Sequence, residues 1–194
     1  MSQARGGART AATYADIEAL SDRFIGEILD GDLYVSPRPR LGHARAAVWL
    51  DRRLGPPFDD GIGGPGGWWI LIEPELHFGD DYVVPDLAGW RRERLPAVPD
   101  LPHLELAPDW VCEILSPSTE RIDRGLKLKV YARERVGHIW LLNPDARTLE
   151  VLRLQGDQWL LVAVHSGGER VRAEPFAEVE LDLAGLWGGT ESSL

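Results

Sequence analysis

The chain has 194 residues, of which 44% are hydrophobic and 27% are charged; this composition excludes an intrinsically disordered protein and allows one domain with a sizeable core. The formal net charge of −10 excludes a polycation that coats nucleic acid without specificity, although it is compatible with a nucleic-acid enzyme that has one local basic face. The single cysteine, Cys112, excludes an intrachain disulfide, and no stretch approaches the ~20 apolar residues of a membrane helix, so we expect a cytoplasmic protein without membrane association.

The N-terminal part is predicted to contain a helix, a hairpin and a second helix. The first helix is expected over Thr13–Asp22, where Thr13 can serve as its cap. Asp30-Gly31 is a tight-turn dipeptide between two apolar-bearing segments, and it predicts a β-hairpin over Glu27–Val35. The second helix is expected over Leu41–Leu54, with its alanines, valine and leucine on one side.

Two strands are predicted after a Gly/Pro-rich loop, over Trp68–Phe78 and Tyr82–Trp90. Pro85 has no backbone donor, so it interrupts the second strand and leaves Asp86 at an irregularity between apolar residues. Such breaks often aim a side chain toward a functional site. The alternative is an ordinary Pro-Asp turn, because this dipeptide recurs elsewhere in the chain outside apolar strands.

Glu113 lies within Trp110–Leu115, an otherwise apolar segment that predicts a strand buried on both faces. Alternation places Glu113 on the same face as Val111 and Leu115. An ionised carboxylate in such a place is costly unless it is paired or binds a metal. Glu113 is therefore either a metal ligand, a member of a buried pair with a basic side chain, or a residue at a sheet end that reaches water.

The chain has two lysines, Lys127 and Lys129, and its other nineteen basic residues are arginines. Both lysines lie in a helix predicted over Asp123–Val136. Asp123, Lys127 and Tyr131 recur at intervals of four and share one face, beside the apolar stripe. Lys127 could therefore reach a carboxylate on the sheet, whereas Lys129 is expected to face solvent. The alternative for Lys127 is an ordinary surface lysine on an amphipathic helix.

The C-terminal part is predicted to add strands to a central sheet, over His138–Asn143, Thr148–Leu154, Trp159–His165 and near Glu178–Leu183. Together with the preceding elements, they indicate a single domain of the mixed α/β or α+β class. We predict a disordered lead over residues 1–12, the domain over 13–185 and a flexible tail over 186–194.

Five segments form a set in chain order: Glu27-Ile-Leu-Asp-Gly-Asp, Val84-Pro-Asp-Leu-Ala, Glu113-Ile-Leu-Ser-Pro-Ser-Thr, Asp123-Arg-Gly-Leu-Lys-Leu-Lys-Val-Tyr-Ala and His138-Ile-Trp-Leu-Leu-Asn-Pro. Together they resemble the Uma-type endonuclease family of the PD-(D/E)XK nuclease superfamily. The resemblance extends over most of the chain, and its most specific part is the Glu113 segment with the lysine and tyrosine that follow it.

The resemblance implies a restriction-endonuclease-like core, with a mixed central β-sheet flanked by helices, an N-terminal hairpin and C-terminal β-strands. It implies that Asp86 and Glu113 are catalytic and hold a divalent metal ion, Mg²⁺ or alternatively Mn²⁺, with Glu27 as an auxiliary ligand. The superfamily pattern has a lysine two residues after the glutamate, where this chain has Leu115. The resemblance suggests that Lys127, from the following helix, supplies the catalytic lysine instead.

Four more residues are candidate substrate contacts. His43 matches a position that is often histidine in the relatives, while Arg124, Lys129 and Tyr131 lie on the matching helix. Two surrounding segments are basic: residues 36–53 have five arginines and one aspartate, and residues 119–135 have six basic and three acidic residues. They would form a track for phosphates if they face one groove, and otherwise are two solvated helices.

The sequence therefore predicts a Mg²⁺-dependent endonuclease that acts on nucleic acid, with DNA as the expected substrate. One alternative is a catalytically inactive nuclease-fold module that binds or oligomerises, which the displaced lysine and the net charge favour. Another is an enzyme of a different class that uses the same carboxylates on a small substrate. Exposed tryptophan and leucine residues also suggest a homodimer.

Overall fold

A computed structural model describes residues 10–187 of the chain. Its helices are α1 (Tyr14–Glu18), α2 (Leu41–Leu54), α3 (Glu120–Ile122) and α4 (Leu128–Arg133). Its strands are β1 (Phe24–Leu29), β2 (Asp32–Pro37), β3 (Trp68–Ile72), β4 (Leu76–Phe78), β5 (Asp81–Val83), β6 (Leu87–Arg91), β7 (Trp110–Ile114), β8 (His138–Asn143), β9 (Thr148–Gln155), β10 (Gln158–Ser166), β11 (Arg170–Val171) and β12 (Leu181–Asp182).

The larger sheet is mixed, with six strands in the order β10-β9-β8-β7-β6-β3. Strands β7 and β8 run parallel, and the other neighbouring pairs are antiparallel. All five residues of β7 are buried, as its apolar sequence predicts. Trp110, Cys112 and Ile114 pack in the core cluster that includes α2, whereas Val111 and Leu115 pack in the cluster that includes α4. The mixed α/β class with a central sheet between helices is thus confirmed.

A second sheet has four strands in the order β2-β1-β5-β4. Its β1–β2 hairpin turns at Asp30 and Gly31, whose φ angles of 54° and 79° are both positive, as the predicted tight turn requires. The prediction of two long strands over residues 68–90 is wrong. A positive φ of 48° at Glu73 and the break at Pro85 divide this stretch into four strands, of which β3 and β6 join the larger sheet and β4 and β5 the smaller one.

The helices lie where they were predicted, but not all of them have the predicted length. Helix α2 has the predicted bounds, whereas α1 ends sooner than expected because the chain enters β1 at Phe24. The helix predicted over Asp123–Val136 consists of α3, a π-helical turn over Asp123–Lys127 and α4 in succession. Arg135, with a φ of 63°, lies just after this helix.

The terminal segments are described in part. The strand predicted near residues 178–183 is β12, which has two residues and pairs with β11. Residues 1–9 of the predicted lead and residues 188–194 of the predicted tail lie outside the described range. Inside it, the Ala12 amide donates to the Gly31 carbonyl at 2.8 Å, and Leu186 is buried in the core. Among the described helices, none has the length and apolar character needed to cross a membrane.

Candidate active site

A cleft of about 440 Å³ lies where the C-terminal ends of β7 and β8 meet the β1–β2 hairpin. Five of the eight predicted site residues line it: Glu27, His43, Asp86, Glu113 and Lys127. They come from five separate parts of the chain, so the fold is what brings them together. We call this group the carboxylate–lysine cleft.

Asp86, which immediately precedes β6, lies opposite Glu113 of the neighbouring strand β7. The register pairs Leu87 of β6 with Cys112 of β7, which places residue 86 across from residue 113 on the same side of the sheet. Asp86 is held from two directions: its Oδ2 accepts the Ile114 amide at 2.6 Å, and its Oδ1 lies 2.5 Å from His43 Nε2. Asp86, directly after the break at Pro85, thus lines the cleft with its carboxylate held by His43 and by the backbone of β7.

Glu113 and Lys127 form a buried ion pair, and each residue is 2% exposed. Lys127 Nζ lies 2.9 Å from Glu113 Oε1, and the Tyr131 hydroxyl donates to the same oxygen at 2.6 Å. Leu115, which occupies the usual lysine position, is instead buried in the core cluster that includes α4. The ammonium group thus reaches the glutamate from the helix instead of from the strand.

Lys127 is also surrounded by Glu27, Asp123 and Val84. Its Nζ lies 3.0 Å from Glu27 Oε1 and 3.7 Å from Asp123 Oδ1, and it donates to the Val84 carbonyl at 3.3 Å. The Val84 amide in turn donates to Glu27 Oε1 at 2.9 Å. The linker between β5 and β6 therefore fixes both Glu27 and Lys127 in place.

The carboxylates around Lys127 outnumber its single positive charge. Burial raises the pKa of Glu113 well above its usual range, and the charges of Asp123, Asp86 and Glu27 add to this, while Lys127 opposes it. Burial likewise raises the pKa of Asp123 to about 6, against the opposing effects of Lys127 and Thr119. Glu27, Glu113 and Asp123 thus share one nearby ammonium group, that of Lys127.

The pKa values of Lys127 and His43 are also raised, but for these basic groups a raised pKa favours the charged form. Burial alone would lower the pKa of Lys127, but Glu113 and Glu27 outweigh it and raise the pKa well above its usual range, so the side chain stays charged. Burial also acts to lower the pKa of His43, and the hydrogen bond and charge of Asp86 outweigh it and raise the pKa. His43 is therefore an orienting partner of Asp86 with a strengthened tendency to carry a positive charge.

Three predicted contact residues do not line the cleft. Arg124 pairs instead with Glu120 and Glu150, through contacts of 2.5–2.9 Å. Lys129 is exposed, as the sequence indicated. Tyr131 is fully buried behind Glu113, where it donates its hydroxyl to that carboxylate.

The two basic segments contribute unequally to the cleft. Arg38 and Arg40, which precede α2, both line it. From the second segment, Lys127 lines the cleft, but it already lies against carboxylates. Arg38 contacts Glu73 Oε2 at 3.7 Å, whereas Arg40 is exposed, so Arg40 is the better placed of the two to meet a substrate phosphate.

Two features of the structure were not predicted from the sequence. Asp123 belongs to the cleft, and its place on the same helix face as Lys127 was the signal for it. Glu75, His77 and His103 form a separate cluster whose ligand-type atoms all lie within 4.8 Å of one another. The spacing of Glu75 and His77 places both on one face of a strand, but nothing local connects His103 to them.

Comparison with known proteins points to one family. A family model described as "Uma2: Putative restriction endonuclease" matches residues 12–184. A solved structure from Anabaena variabilis ATCC 29413, described as a putative nuclease of DUF820, has 22% identity and a TM-score of 0.72. The alignment covers 91% of this chain and 98% of that one, so the two share a fold. No curated protein matches this chain.

Proposed function

Because the chain belongs to the Uma2 family, we propose that it is a divalent-metal-dependent endonuclease that hydrolyses phosphodiester bonds of DNA. The supporting observation is the convergence of Glu27, Asp86 and Glu113, from distant parts of the chain, on one cleft with Lys127. The buried Cys112, which is a free thiol, suits the cytoplasmic location that we also propose.

The donor types of the cleft residues suit a divalent cation. They offer carboxylate oxygens, which are the donors that Mg²⁺ and Mn²⁺ prefer. Carboxylate side chains outnumber lysines among the residues described around the cleft, and the two described contacts of Glu113 both use Oε1. We assign Asp86 and Glu113 as the ligands and Glu27 as the auxiliary ligand. A bound ion would polarise the phosphate and make a water molecule a better nucleophile.

The remaining residues position these groups and attract the substrate. His43 and the Ile114 amide fix the orientation of Asp86. Lys127 holds Glu27 and Glu113 and places a positive charge where charge develops on a reacting phosphate. Arg38 and Arg40, at the cleft, attract the phosphate backbone.

One observation favours a second candidate function, a catalytically inactive nuclease-fold module. Lys127 already has acceptors within the protein for its three protons: Glu113, Glu27 and the Val84 carbonyl. In that case the cleft is a structural ion-pair network, and the protein binds a partner without turnover.

Cleavage of plasmid DNA in Mg²⁺ or Mn²⁺ tests the nuclease proposal. Mutation of a residue that only supports a metal ligand lowers metal affinity or activity about 10- to 100-fold. Replacing a ligand itself, in Glu113→Gln or Asp86→Asn, should therefore slow cleavage at least about 100-fold. Glu178→Gln, which changes an exposed carboxylate outside the cleft, is the matched control and should cleave like the wild type.

Two results would contradict the nuclease proposal. One is the absence of metal-dependent cleavage by wild-type protein, and the other is equal cleavage by wild type and Glu113→Gln. The inactive-module proposal predicts no turnover in any form, with DNA or protein association retained in Lys127→Ala. Calorimetric titration of Mg²⁺ into wild type and Asp86→Asn distinguishes the two proposals. If the cleft is a metal site, the heat of Mg²⁺ binding should be present in wild type and lost in the variant.

We also propose the homodimer that the sequence suggested, through the edge strand β10. This strand ends the six-stranded sheet, and Leu161 and Val164 on it are 51% and 54% exposed. An exposed apolar edge strand tends to pair with another chain. Sedimentation equilibrium should show a dimer that Leu161→Lys weakens, and a wild-type monomer would refute the proposal.

A further inference from the structure

The cluster of Glu75, His77 and His103 lies apart from the residues assigned to the nuclease site. Glu75 and His77 flank the buried Leu76 of β4, and His103 lies in the long connection between β6 and β7. Their ligand-type atoms all lie within 4.8 Å of one another, and His77 Nε2 is 2.5 Å from Glu75 Oε1. None of the three lines the carboxylate–lysine cleft.

The backbone explains why these three side chains converge. An isolated parallel bridge pairs Leu76 with Leu104, through His77 N–H to Leu104 O and Leu104 N–H to Glu75 O, each at 2.9 Å. Leu76 and Leu104 both pack in the core. Because side chains alternate along extended chain, residues 75, 77 and 103 all point away from that core to the same side.

The two imidazole rings are held in a defined arrangement. His77 and His103 stack with centroids 3.7 Å apart and their planes within 5° of parallel. Tyr82 contacts the edge of this stack, with its ring centroid 4.5 Å from that of His77. Ligand atoms of a tetrahedral zinc site lie about 3.3 Å apart, given zinc–nitrogen bonds of about 2.0–2.1 Å. Because an ion lies in the plane of each imidazole that binds it, one of the two stacked rings would have to turn out of the stack on binding.

Glu75 has a further partner of the kind that supports a metal ligand. The Tyr14 hydroxyl donates to Glu75 Oε1 at 2.8 Å. Carboxylates that bind metals are themselves commonly hydrogen-bonded, which fixes their orientation. The side chains of Glu75 and His77 are 29% and 13% exposed, so an ion from solvent can reach them.

We propose that Glu75, His77 and His103 form a second metal site, which binds one divalent transition-metal ion of the Zn²⁺ class. Two imidazoles and one carboxylate suit Zn²⁺ and its neighbours in the first transition series, and they are poor ligands for Mg²⁺. Three protein ligands leave a fourth position for water. The ion in this site is thus chemically different from the one proposed for the carboxylate–lysine cleft.

The site would fasten the β6–β7 connection to the smaller sheet. Over residues 92–109, the described chain has no helix or strand, and the bridge at Leu104 is its backbone link to β4. A metal bond to His103 would add a second attachment one residue away. The bound ion should therefore protect this connection from proteolysis as well as stabilise the fold.

Titration with Co²⁺, followed by its visible absorption, tests the proposal, because ligand-field bands report nitrogen ligands and a low coordination number. Wild-type protein should bind one equivalent with such bands, and Zn²⁺ should abolish them by competition. His77→Ala and His103→Ala should weaken binding at least about 100-fold, and Tyr14→Phe about 10-fold, since support residues cost less than ligands.

Two matched variants locate the ion. His165→Ala removes a histidine from β10, and Glu113→Gln disables the carboxylate–lysine cleft, so both should keep the bands. Circular dichroism confirms that each variant is folded, and Glu75→Gln provides a further ligand variant of nearly unchanged size. The proposal is overturned if wild type gives no such bands, if His103→Ala keeps them, or if Glu113→Gln loses them. The nuclease proposal survives each of those results, because it rests on other residues.

Discussion

The carboxylate–lysine cleft and the Glu75–His77–His103 cluster both join side chains from distant parts of the chain, but they differ in burial and in donor type. In the cleft, Glu113 and Lys127 are 2% exposed, and the anionic groups all offer oxygen. In the cluster, Glu75 is 29% exposed, and two of the three donors are imidazoles. Burial decides how much each contact affects stability, and donor type decides which ion each place suits.

Removing the buried ammonium should have the largest effect on stability. Lys127→Ala leaves Glu27, Glu113 and Asp123 without their common counter-charge, and breaking a buried pair costs about 3–5 kcal/mol. The matched control is Lys129→Ala, two residues away and exposed, which should cost less than about 0.5 kcal/mol. Urea unfolding at pH 8 in a chelator measures both, and equal losses would contradict the buried network.

Mg²⁺ and Zn²⁺ should each stabilise the protein through a different one of the two regions. An ion at about 100 times its dissociation constant stabilises a protein by about 2.7 kcal/mol. Stabilisation by Mg²⁺ should therefore disappear in Glu113→Gln and persist in His103→Ala, whereas stabilisation by Zn²⁺ should show the reverse. Thermal unfolding at matched ionic strength measures this, and a single variant that abolishes both responses would show that the regions are not independent.

Two tyrosines allow the effect of burial to be measured on one kind of hydrogen bond. Tyr131→Phe removes a hydrogen bond to the buried Glu113, whose oxygen then loses a partner away from water, and should cost about 1–3 kcal/mol. Tyr14→Phe removes a bond to the partly exposed Glu75 and should cost about 0.5–1.5 kcal/mol. Denaturant unfolding without added metal gives both values. A larger loss from Tyr14→Phe would mean that burial is not what distinguishes the regions.

The smallest expected effect is a pH dependence that originates in the cleft. Because burial raises the pKa of Asp123 from 3.8 to about 6, the folded chain retains a proton that the unfolded chain has released in that range. This contribution to stability is therefore present below pH 3.8 and is lost as the pH rises through about 6.

Asp123→Asn should show a flatter stability profile than wild type between pH 4 and 6, since its side chain does not ionise. Asp100→Asn, at an exposed position, should retain the wild-type profile. Chelator-treated protein, unfolded in urea across this range, provides the measurement. Parallel profiles for wild type and Asp123→Asn would show that Asp123 does not titrate as its burial implies.

Local patterns were enough to predict several elements. The bounds of α2, the Asp30-Gly31 hairpin and the buried strand β7 were predicted because each depends on turn chemistry or on hydrophobic periodicity within a short stretch. The same holds for the helix face that places Lys127 beside Tyr131 and Asp123. The interruption at Pro85 was predicted, but the break at Glu73 and the division of the four strands between two sheets were not, because they follow from which sheet each strand joins.

The sequence by itself determined the bounds of α2, the position of the first hairpin and the buried strand β7, since turn chemistry and the periods of strands and helices act over a few neighbouring positions. Only the tertiary structure decided that Asp86 and Glu113 lie opposite each other. It also decided that the Lys127 ammonium group contacts carboxylates from β1, β7 and the following helix, and that His103 lies close to Glu75. These contacts depend on strand register and on pairings between segments far apart, such as Leu76 with Leu104, and a local pattern carries no information about the partner of a strand.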